Sequence, residues 1–516
     1  MPNEKSADPN PRPATFWQAL IPLAFLVIAL ALAIKLYRED SVRGPVQVAL
    51  LLAAALAAQV GYLNGHTIAD LTKAAVDSVG SAMGAIFILF SVGALIGTWN
   101  MSGTIATLTD WGIRLLNPGI FYVVATILCA VIAVSVGSSW TVMGTIGVAL
   151  VTVAGGLGLN MAIAAGAVIS GAYFGDKMSP LSETTNLAAA VSGTDLYRHI
   201  RAMMATTVPA ILITLCIYLI LGLTAKPSGA IDVPDELRDI EKLFNVNALT
   251  LIPLAVVIVL ALRKIPPTLA ILAGALTGGL VAIIFQPNAV RAFVDDDSLG
   301  TPWVMLKGVW DAMATGFVAN TGSSTVDDLL SGGGMQGMLN TVWLIITALA
   351  FGGIMNHTGF LGKLIEPLRR RAKTPRGAMA STGVTAIGIN AVAGDQYLAL
   401  VLTGNVFKEE FRKRGIAPQS LSRQIEDTAT VTSPLVPWNS CGAYASGVLG
   451  ITTIAYLPFA FFNWINPLIS FLYAGLGIAI QKAEPGVDSS PAPAEASFYG
   501  VPGQNSEEVP QDGARR

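Results

Sequence analysis

The sequence predicts an all-α polytopic membrane protein with two inverted repeats, and three observations carry that prediction: its composition, its long apolar runs and an internal duplication. Of its 516 residues, 53% are hydrophobic and only 12% are charged, about half the charged fraction of an ordinary globular domain. A helix that crosses a membrane needs roughly 20 apolar residues. Runs approaching or exceeding that length occupy 14–37, 44–63, 84–98, 119–137, 200–224, 247–262, 266–286, 338–355 and 451–481.

The two ends of the chain differ from this apolar body. Residues 1–13 are polar and lack the apolar core of a signal peptide, so we expect a retained cytoplasmic N-terminal segment. Residues 482–516 are rich in Pro, Ser, Glu and Gly, a composition that predicts a disordered cytoplasmic tail. Between the ends we predict a first repeat over 14–224, a connecting loop over 225–246 and a second repeat over 247–481.

Short motifs recur in the same order in both halves. The stretch 97–103 (GTWNMSG) matches 353–359 (GIMNHTG), 256 residues later. A glycine-centred segment follows each match, at Gly137 and Gly394. Ser179-Pro180-Leu181 then recurs as Ser433-Pro434-Leu435, 254 residues later. Three ordered matches at nearly constant spacing predict an internal duplication.

Each half therefore has two opening helices, a span that ends in the first motif, a glycine-centred hairpin, a broken helix and a closing helix. If both hairpins are re-entrant, each half crosses the membrane five times, and an odd number of crossings inverts the second half. The prediction is about ten spanning helices, two re-entrant hairpins and broken helices. Both termini are predicted to be cytoplasmic, because this orientation keeps most Lys and Arg, including Arg369 to Arg371, inside.

The most informative stretch is 171–186, GAYFGDKMSPLSETTN. Gly175 and Pro180 should unwind the helix between them, and Ser179 followed by Pro180 is a suitable cap and first residue for a restarted half-helix. Ser433 and Pro434 should play the same part in the second half. A break at membrane depth is tolerated where protein or a water-filled cavity satisfies the freed backbone.

Ionisable side chains cluster at these breaks and at the second hairpin. Because such groups cost at least ~2.5 kcal/mol each within a membrane, they should face the bundle interior and have partners. Carboxylates, hydroxyls, amides and carbonyls are the oxygen donors that suit a small hard cation such as Na+. The predicted cation- and proton-binding residues are Asp176, Ser179, Glu183, Asn186, Asp395, Asp427 and Asn439. The predicted supporting residues are Ser138, Ser139, Lys177, Asn390, Glu426 and Ser433.

Structural alternatives exist for several of these residues. Asp176 could pair with its neighbour Lys177 or cap a helix, and Glu183 and Glu426 could lie on a half-helix surface near the membrane interface. The asparagines could form interhelical hydrogen bonds instead of binding a cation. Net charge of −2 gives no reason to expect nucleic acid as a partner. The HExxH, GxSxG and Walker motifs are missing from the sequence, and the GxGxxG match at 332–337 has no predicted strand before it and no acidic residue at the required distance after it. Neither an enzyme nor a cofactor is therefore predicted.

Residues 171–188 (GAYFGDKMSPLSETTNLA), with the later AGDQY and SPLVPWNSCGAY, closely resemble the NhaC family of Na+/H+ antiporters. The resemblance implies a bacterial cytoplasmic-membrane protein that expels Na+, with Li+ as an alternative cation, in exchange for H+. It also implies a scaffold of opening helices and a transport domain of hairpins and broken helices. The alternative is a Na+-coupled exchanger of small carboxylates such as malate and lactate, or of amino acids. A homodimer is a candidate assembly.

Overall fold

The computed structural model describes residues 11–37, 40–41, 43–115, 117–225, 243–296, 298–320, 327 and 330–483. Most of the predicted N-terminal segment, most of the predicted connecting loop and nearly all of the predicted tail lie outside these residues. The described part is helical apart from its turns and two isolated antiparallel bridges, Phe317 with Gly332 and Ile416 with Lys482. The predicted all-α class is confirmed.

The helices of the first half are α1 Phe16–Tyr37, α2 Pro45–Leu63, α3 Ile68–Ser81, α4 Met83–Met101, α5 Thr104–Leu115, α6 Phe121–Val136, α7 Ser139–Gly156, α8 Met161–Met178, α9 Glu183–Ser192 and α10 Leu196–Thr224. The helices of the second half are α11 Ala248–Leu262, α12 Pro267–Phe285, α13 Pro287–Val294, α14 Thr301–Ala314, α15 Leu339–His357, α16 Phe360–Arg371, α17 Pro375–Ala393, α18 Gln396–Lys413, α19 Pro418–Ile425, α20 Ser440–Leu449, α21 Thr453–Tyr456 and α22 Phe461–Leu476.

Within the described residues, eight helices are long and apolar enough to cross a membrane, and a ninth crossing is added if the bent pair 440–449 and 453–459 counts as one span. The chain is therefore a multi-pass membrane protein, with a count close to the ten spans predicted. Both arms of the first hairpin are among the eight. At about 1.5 Å per residue, the 18 residues of α7 extend ~27 Å, which approaches the thickness of a hydrocarbon core. That either hairpin is re-entrant stays a prediction.

The helix limits repeat almost exactly between the halves, as a duplication requires. Helices α4 and α15 have 19 residues each and begin at residues 83 and 339, 256 apart. Helices α7 and α18 begin at residues 139 and 396, and α9 and α20 at 183 and 440, in both cases 257 apart. The turns agree as well, because Gly137 and Gly394 both adopt a left-handed conformation, with φ of 73° and 68°. Inversion of the second repeat stays a prediction.

Glycine in α8 serves helix packing. Helix α8 lies along α6, and a Cβ atom at Gly171 would stand 2.2 Å from the carbonyl oxygen of Thr126. A Cβ atom at Gly175 would stand 2.3 Å from the carbonyl oxygen of Ala130. The prediction that Gly175 unwinds the helix is wrong, because Gly175 lies inside α8 and the break begins only at residue 179.

The predicted caps of the half-helices are also wrong. Ser179 closes α8, and α9 begins four residues later, with Ser182 accepting a hydrogen bond from the backbone N–H of Thr185. Ser433 lies in a short 3-10 turn, and the cap of α20 is Asn439. With helices 257 residues apart on both sides of the break, the structural counterpart of Ser433 is Asp176. The sequence match between Ser179 and Ser433 is thus three residues out of register.

Candidate functional site

The tip of the first hairpin meets the break between α8 and α9. Gly137 turns the chain, and the Ser138 hydroxyl caps α7 by accepting hydrogen bonds from the backbone N–H and hydroxyl of Thr141 at 3.2 and 3.0 Å. A Cβ atom at Gly137 would stand 2.7 Å from the carbonyl carbon of Leu181, which lies in the break. The Ser179 hydroxyl donates to the carbonyl of Val134 in α6 at 2.7 Å. Tip and break are therefore held together.

Asp176 occupies this junction. It lies in the last turn of α8, its residue is 6% exposed, and its Oδ2 accepts hydrogen bonds from the backbone N–H and the hydroxyl of Ser139 at 3.0 and 2.7 Å. Ser139 is the first residue of α7, so the carboxylate also faces the positive end of a helix dipole. Among the described residues, no basic side chain forms an ion pair with Asp176. Its partners are neutral groups.

Lys177 pairs with the second half of the chain instead of with Asp176. Its Nζ lies 2.5 Å from Oδ1 of Asp427, and both side chains are fully buried. The same oxygen accepts hydrogen bonds from the Thr206 hydroxyl at 3.1 Å and the Asn466 amide at 3.0 Å. The Nε of Arg423 lies 3.9 Å from Oδ2 of Asp427. The suggested pairing of Asp176 with Lys177 is wrong, and Asp427 sits between two basic side chains.

Glu426 and Glu183, the two glutamates beside the breaks, have different environments. Glu426 is fully buried in a π-helical turn, residues 426–430, that continues α19. Its Oε1 accepts a hydrogen bond from the Thr184 hydroxyl at 3.1 Å, so the interfacial alternative is wrong for this residue. Glu183 is exposed and accepts a hydrogen bond from the Tyr397 hydroxyl at 3.0 Å. This arrangement agrees with the alternative in which Glu183 lies on a half-helix surface near the membrane interface.

The predicted asparagines and the second hairpin satisfy backbone groups. Asn390 donates to the carbonyl of Ala429, Asn439 donates to Asn390 at 3.3 Å, and Asn186 donates to the carbonyls of residues 180 and 182 at 3.0 and 2.7 Å. The half-buried Asp395 caps α18, accepting from the backbone N–H of residue 398 at 2.8 Å. These bonds supply the internal hydrogen bonding that a broken helix needs in a membrane. Cation binding by Asn186, Asp395 and Asn439, and the supporting role of Asn390, stay predictions.

Direct contacts join the two halves around Asp176 and Glu426. The residue pairs are Lys177 with Asp427, Thr184 with Glu426, Glu183 with Tyr397, and Tyr173 with Ser433. Ser433 also donates to the side chain of Gln396 at 3.2 Å. The structure thus brings the two predicted breaks into one cluster, although they are about 250 residues apart in sequence.

Several residues of this cluster were missed at the level of sequence. Thr206 and Asn466 lie within long apolar helices and carry no local signal that connects them with Asp427. Arg423 did carry a local signal in the sequence, because it stands four residues before Asp427 in a helix, the spacing at which opposite charges meet. His199 is fully buried with neither ring nitrogen hydrogen-bonded in the described part of the chain.

Known proteins resemble this chain over most of its length. A model of the Na+/H+ antiporter family matches residues 171–478, more than half of the chain. The Na+/H+ antiporter NhaC of Alkalihalophilus pseudofirmus is 37% identical over 415 residues, which cover 80% of this chain and 87% of the relative. The chain belongs to the Na+/H+ antiporter family. This membership confirms the resemblance noted in the sequence and makes the protein a transporter.

Other relatives in this group are named for different substrates. The arginine/ornithine antiporter ArcD of Halobacterium salinarum is 34% identical over 483 residues, covering 93% of this chain and 95% of the relative. The malate-2H+/Na+-lactate antiporter of Bacillus subtilis is 32% identical over 454 residues, covering 88% of this chain and 94% of the relative. The choice of substrate must therefore be argued from the site.

Proposed function

We propose that the protein exchanges Na+ for H+ across the membrane and that the two ions compete for the carboxylate of Asp176. One observation carries the proposal. Asp176 is buried at the junction of a hairpin tip and a broken helix, accepts hydrogen bonds from Ser139, and has no basic partner among the described residues. A buried carboxylate with that surrounding needs a cation or a proton to balance its charge.

The exchange follows from this requirement. When Asp176 is ionised, its oxygens and neighbouring hydroxyl and carbonyl oxygens of the break suit Na+, a hard cation. When it is protonated, the carboxyl is neutral and no longer attracts Na+, so each ion displaces the other. The hairpins and broken helices would move past the opening helices to expose this site alternately on the two sides. In both states that cross the membrane, with Na+ bound or with a proton bound, the charge of Asp176 is balanced.

The test is Na+-driven proton movement by the purified protein in liposomes that contain a pH-sensitive dye. Asp176→Asn should abolish the response, since asparagine neither holds a transferable proton nor carries the charge that Na+ balances. The matched control is Asp77→Asn, which alters an exposed carboxylate on α3 and should retain exchange. Comparing Na+, Li+ and K+ defines the cation. Unchanged exchange in a folded Asp176→Asn variant would remove Asp176 from the site.

A second candidate, exchange of small carboxylates or amino acids, is favoured by the names of two relatives. It requires positive groups for a substrate carboxylate. Lys177 is already bound to Asp427 at 2.5 Å, and the half-helix α9 begins with the acidic residue Glu183. Both facts weigh against an anion at the first break. Uptake of labelled malate, lactate or arginine driven by Na+ would support this candidate, and a pure cation exchanger should show none.

We also propose the cytoplasmic membrane as the location, with both termini on the cytoplasmic side. The support is the distribution of basic residues along the sequence. The cluster Arg369 to Arg371 ends α16, and further basic residues end α18. Lysine and arginine are enriched in cytoplasmic segments near the ends of spans, so these two helix ends are assigned to the cytoplasmic side.

A further inference from the structure

Two neighbouring segments of the second half form a basic surface. They are residues 363–376, in α16 and at the start of α17, and residues 409–414, at the end of α18. The first segment has six basic residues and one acid, and the second has three basic residues and two acids, so basic residues are in excess by six. The Nη1 of Arg369 lies 4.0 Å from Oε1 of Glu410, so the two segments adjoin. Together they form the α16–α18 basic surface.

The acids of this surface do not neutralise its bases. Glu366 is shared by Lys363 and Arg370, with nitrogen to oxygen distances of 3.3 and 2.5 Å. Arg371 and Lys373 are exposed and form no ion pair in the described part of the chain. Ion pairs between exposed groups contribute little and are readily exchanged. The guanidinium and ammonium groups are therefore available to an external anion.

Helix α16 is a connector at the membrane surface. Its 12 residues extend ~18 Å, too short to cross a hydrocarbon core, and it joins the end of span α15 to the start of α17. Phe360, Leu361 and Ile365 are buried, and the helix packs against α1 and α17. Arg369 and Arg370 are exposed. A helix with one apolar and one basic face, next to a span, places its charged side chains at the level of the lipid headgroups.

The first half of the chain provides an internal comparison. The equivalent helix, α5, also has 12 residues and begins 256 residues earlier. It contains one basic residue, Arg114, which is paired with Asp110 at 2.8 Å. A connector in this position therefore needs no cluster of bases. In the proposed orientation α16 lies at the cytoplasmic face, where anionic lipids attract basic segments that adjoin a span.

We propose that the α16–α18 basic surface binds the headgroups of anionic phospholipids. Arginine can hold a phosphate group through two parallel hydrogen bonds, and lysine adds a point charge. Only the choice of the cytoplasmic leaflet rests on the proposed orientation. Binding does not depend on Na+/H+ exchange, so the two proposals can fail separately.

A second possible anion is the chain's own C-terminal segment. Residues 484–516 have six acids and two bases, and the backbone N–H of Ala483 donates to the carbonyl of Gly415 at 2.8 Å, beside the second part of the surface. Lipid is favoured because headgroups adjoin α16 directly, and because α5 and α16 differ in charge as their predicted membrane faces do. The tail is tested as the alternative.

The experiment measures lipid binding to the full chain in a neutral detergent by native mass spectrometry. The wild type should bind phosphatidylglycerol more tightly than phosphatidylcholine. Arg371→Gln/Lys373→Gln should weaken phosphatidylglycerol binding roughly 10- to 30-fold, since a basic residue near an anionic surface contributes ~1 kcal/mol, about fivefold. The control Lys35→Gln/Arg43→Gln removes two exposed charges near the other end of α1 and should bind as the wild type does.

Further measurements identify the ligand and its location. Inorganic phosphate at the lipid's concentration should not displace phosphatidylglycerol, and a chain that ends at Ala483 should bind it as tightly as the full chain. In liposomes, a photoactivatable phosphatidylglycerol should label peptides from 363–376 or 409–414 of the wild type, a result that needs no variant to fold.

Several outcomes would overturn the proposal. They are equal affinity for the two lipids, equal affinity in the wild type and the Arg371→Gln/Lys373→Gln variant, and displacement by phosphate. Binding that appears only after removal of residues 484–516 would make the tail the occupant. Labelling confined to other segments would place the lipid elsewhere.

Discussion

The buried pair of Lys177 and Asp427 gives the sharpest prediction for stability. Oδ1 of Asp427 accepts from Lys177 at 2.5 Å, from Thr206 at 3.1 Å and from Asn466 at 3.0 Å, and none of the Lys177 and Asp427 side-chain surface is exposed. Removing one member of such a pair leaves a buried charge without compensation, at a cost of about 3 to 5 kcal/mol. The informative variants are therefore Lys177→Met, Asp427→Asn and the double variant.

The two single variants should not cost the same. After Lys177→Met, Asp427 keeps the neutral donors Thr206 and Asn466 and lies close to Arg423, so the loss should be near ~3 kcal/mol. After Asp427→Asn, Lys177 and Arg423 are both left without an acid between them, so the loss should approach ~5 kcal/mol. The double variant should lose less than the two losses added, by about 1 to 3 kcal/mol, as expected for residues in direct contact.

The assay is the free energy of unfolding in mixed micelles, measured by titration with a denaturing detergent and circular dichroism. Lys73 and Asp77 provide the control, because their Nζ to Oδ2 distance is 2.6 Å but both side chains are more than half exposed. The same substitutions there should cost ~1 kcal/mol or less. Strictly additive losses at Lys177 and Asp427 would refute the ion-pair reasoning. So would an Asp427→Asn variant that loses Na+ binding with less than ~1 kcal/mol of stability, since that result would make Asp427 a cation ligand.

Two further predictions concern pH and packing. Burial, then the His357 ring at 5.4 Å, lowers the pKa of His66, so the unfolded chain binds more protons. Stability should therefore be retained above the ordinary histidine pKa of ~6.5 and fall as pH drops below it. Thermal unfolding measured from pH 8 to 5 should show this fall. The variant His66→Gln should have a flatter dependence of stability on pH. Gly171→Ala should destabilise by ~1 to 3 kcal/mol, because its Cβ would stand 2.2 Å from the Thr126 carbonyl oxygen; Gly475→Ala, with open space around its Cβ position, is the control in the same detergent titration.

Composition and repetition predicted the membrane class, the duplication and the two acidic breaks, because each leaves a signal along the chain. Apolar runs and recurrent motifs are properties of a single segment and can be recognised without knowing which segments it contacts. The partner of Lys177 leaves no such signal. Consecutive residues of a helix point about 100° apart, so Asp176 and Lys177 face different neighbours, and Asp427 is 250 residues away. Adjacency in sequence favoured the wrong pair.

The exact start of a restarted helix was unpredictable for a different reason. Residues 179 and 182 are both serines, and either can cap a helix. The tertiary contact decides, because the Ser179 hydroxyl donates to the carbonyl of Val134 while Ser182 accepts from the backbone of Thr185. Gly175 was ambiguous in the same way. A glycine can loosen a helix or let another helix approach, and only the position of α6 shows that packing is its use here.

The corrected register shows why the site should be asymmetric. Residues 257 apart are equivalent at the hairpin tips and breaks, so Ser139 corresponds to Gln396 and Asp176 corresponds to Ser433. In both halves the residue on the broken helix bonds to the hairpin tip: Ser139 donates to Asp176 at 2.7 Å, and Ser433 donates to Gln396 at 3.2 Å. The first pair carries a charge, and the second is neutral and already satisfied. Of these two equivalent positions, only the one in the first half carries a charge that a cation or a proton can balance, which is the physical reason for proposing exchange at Asp176.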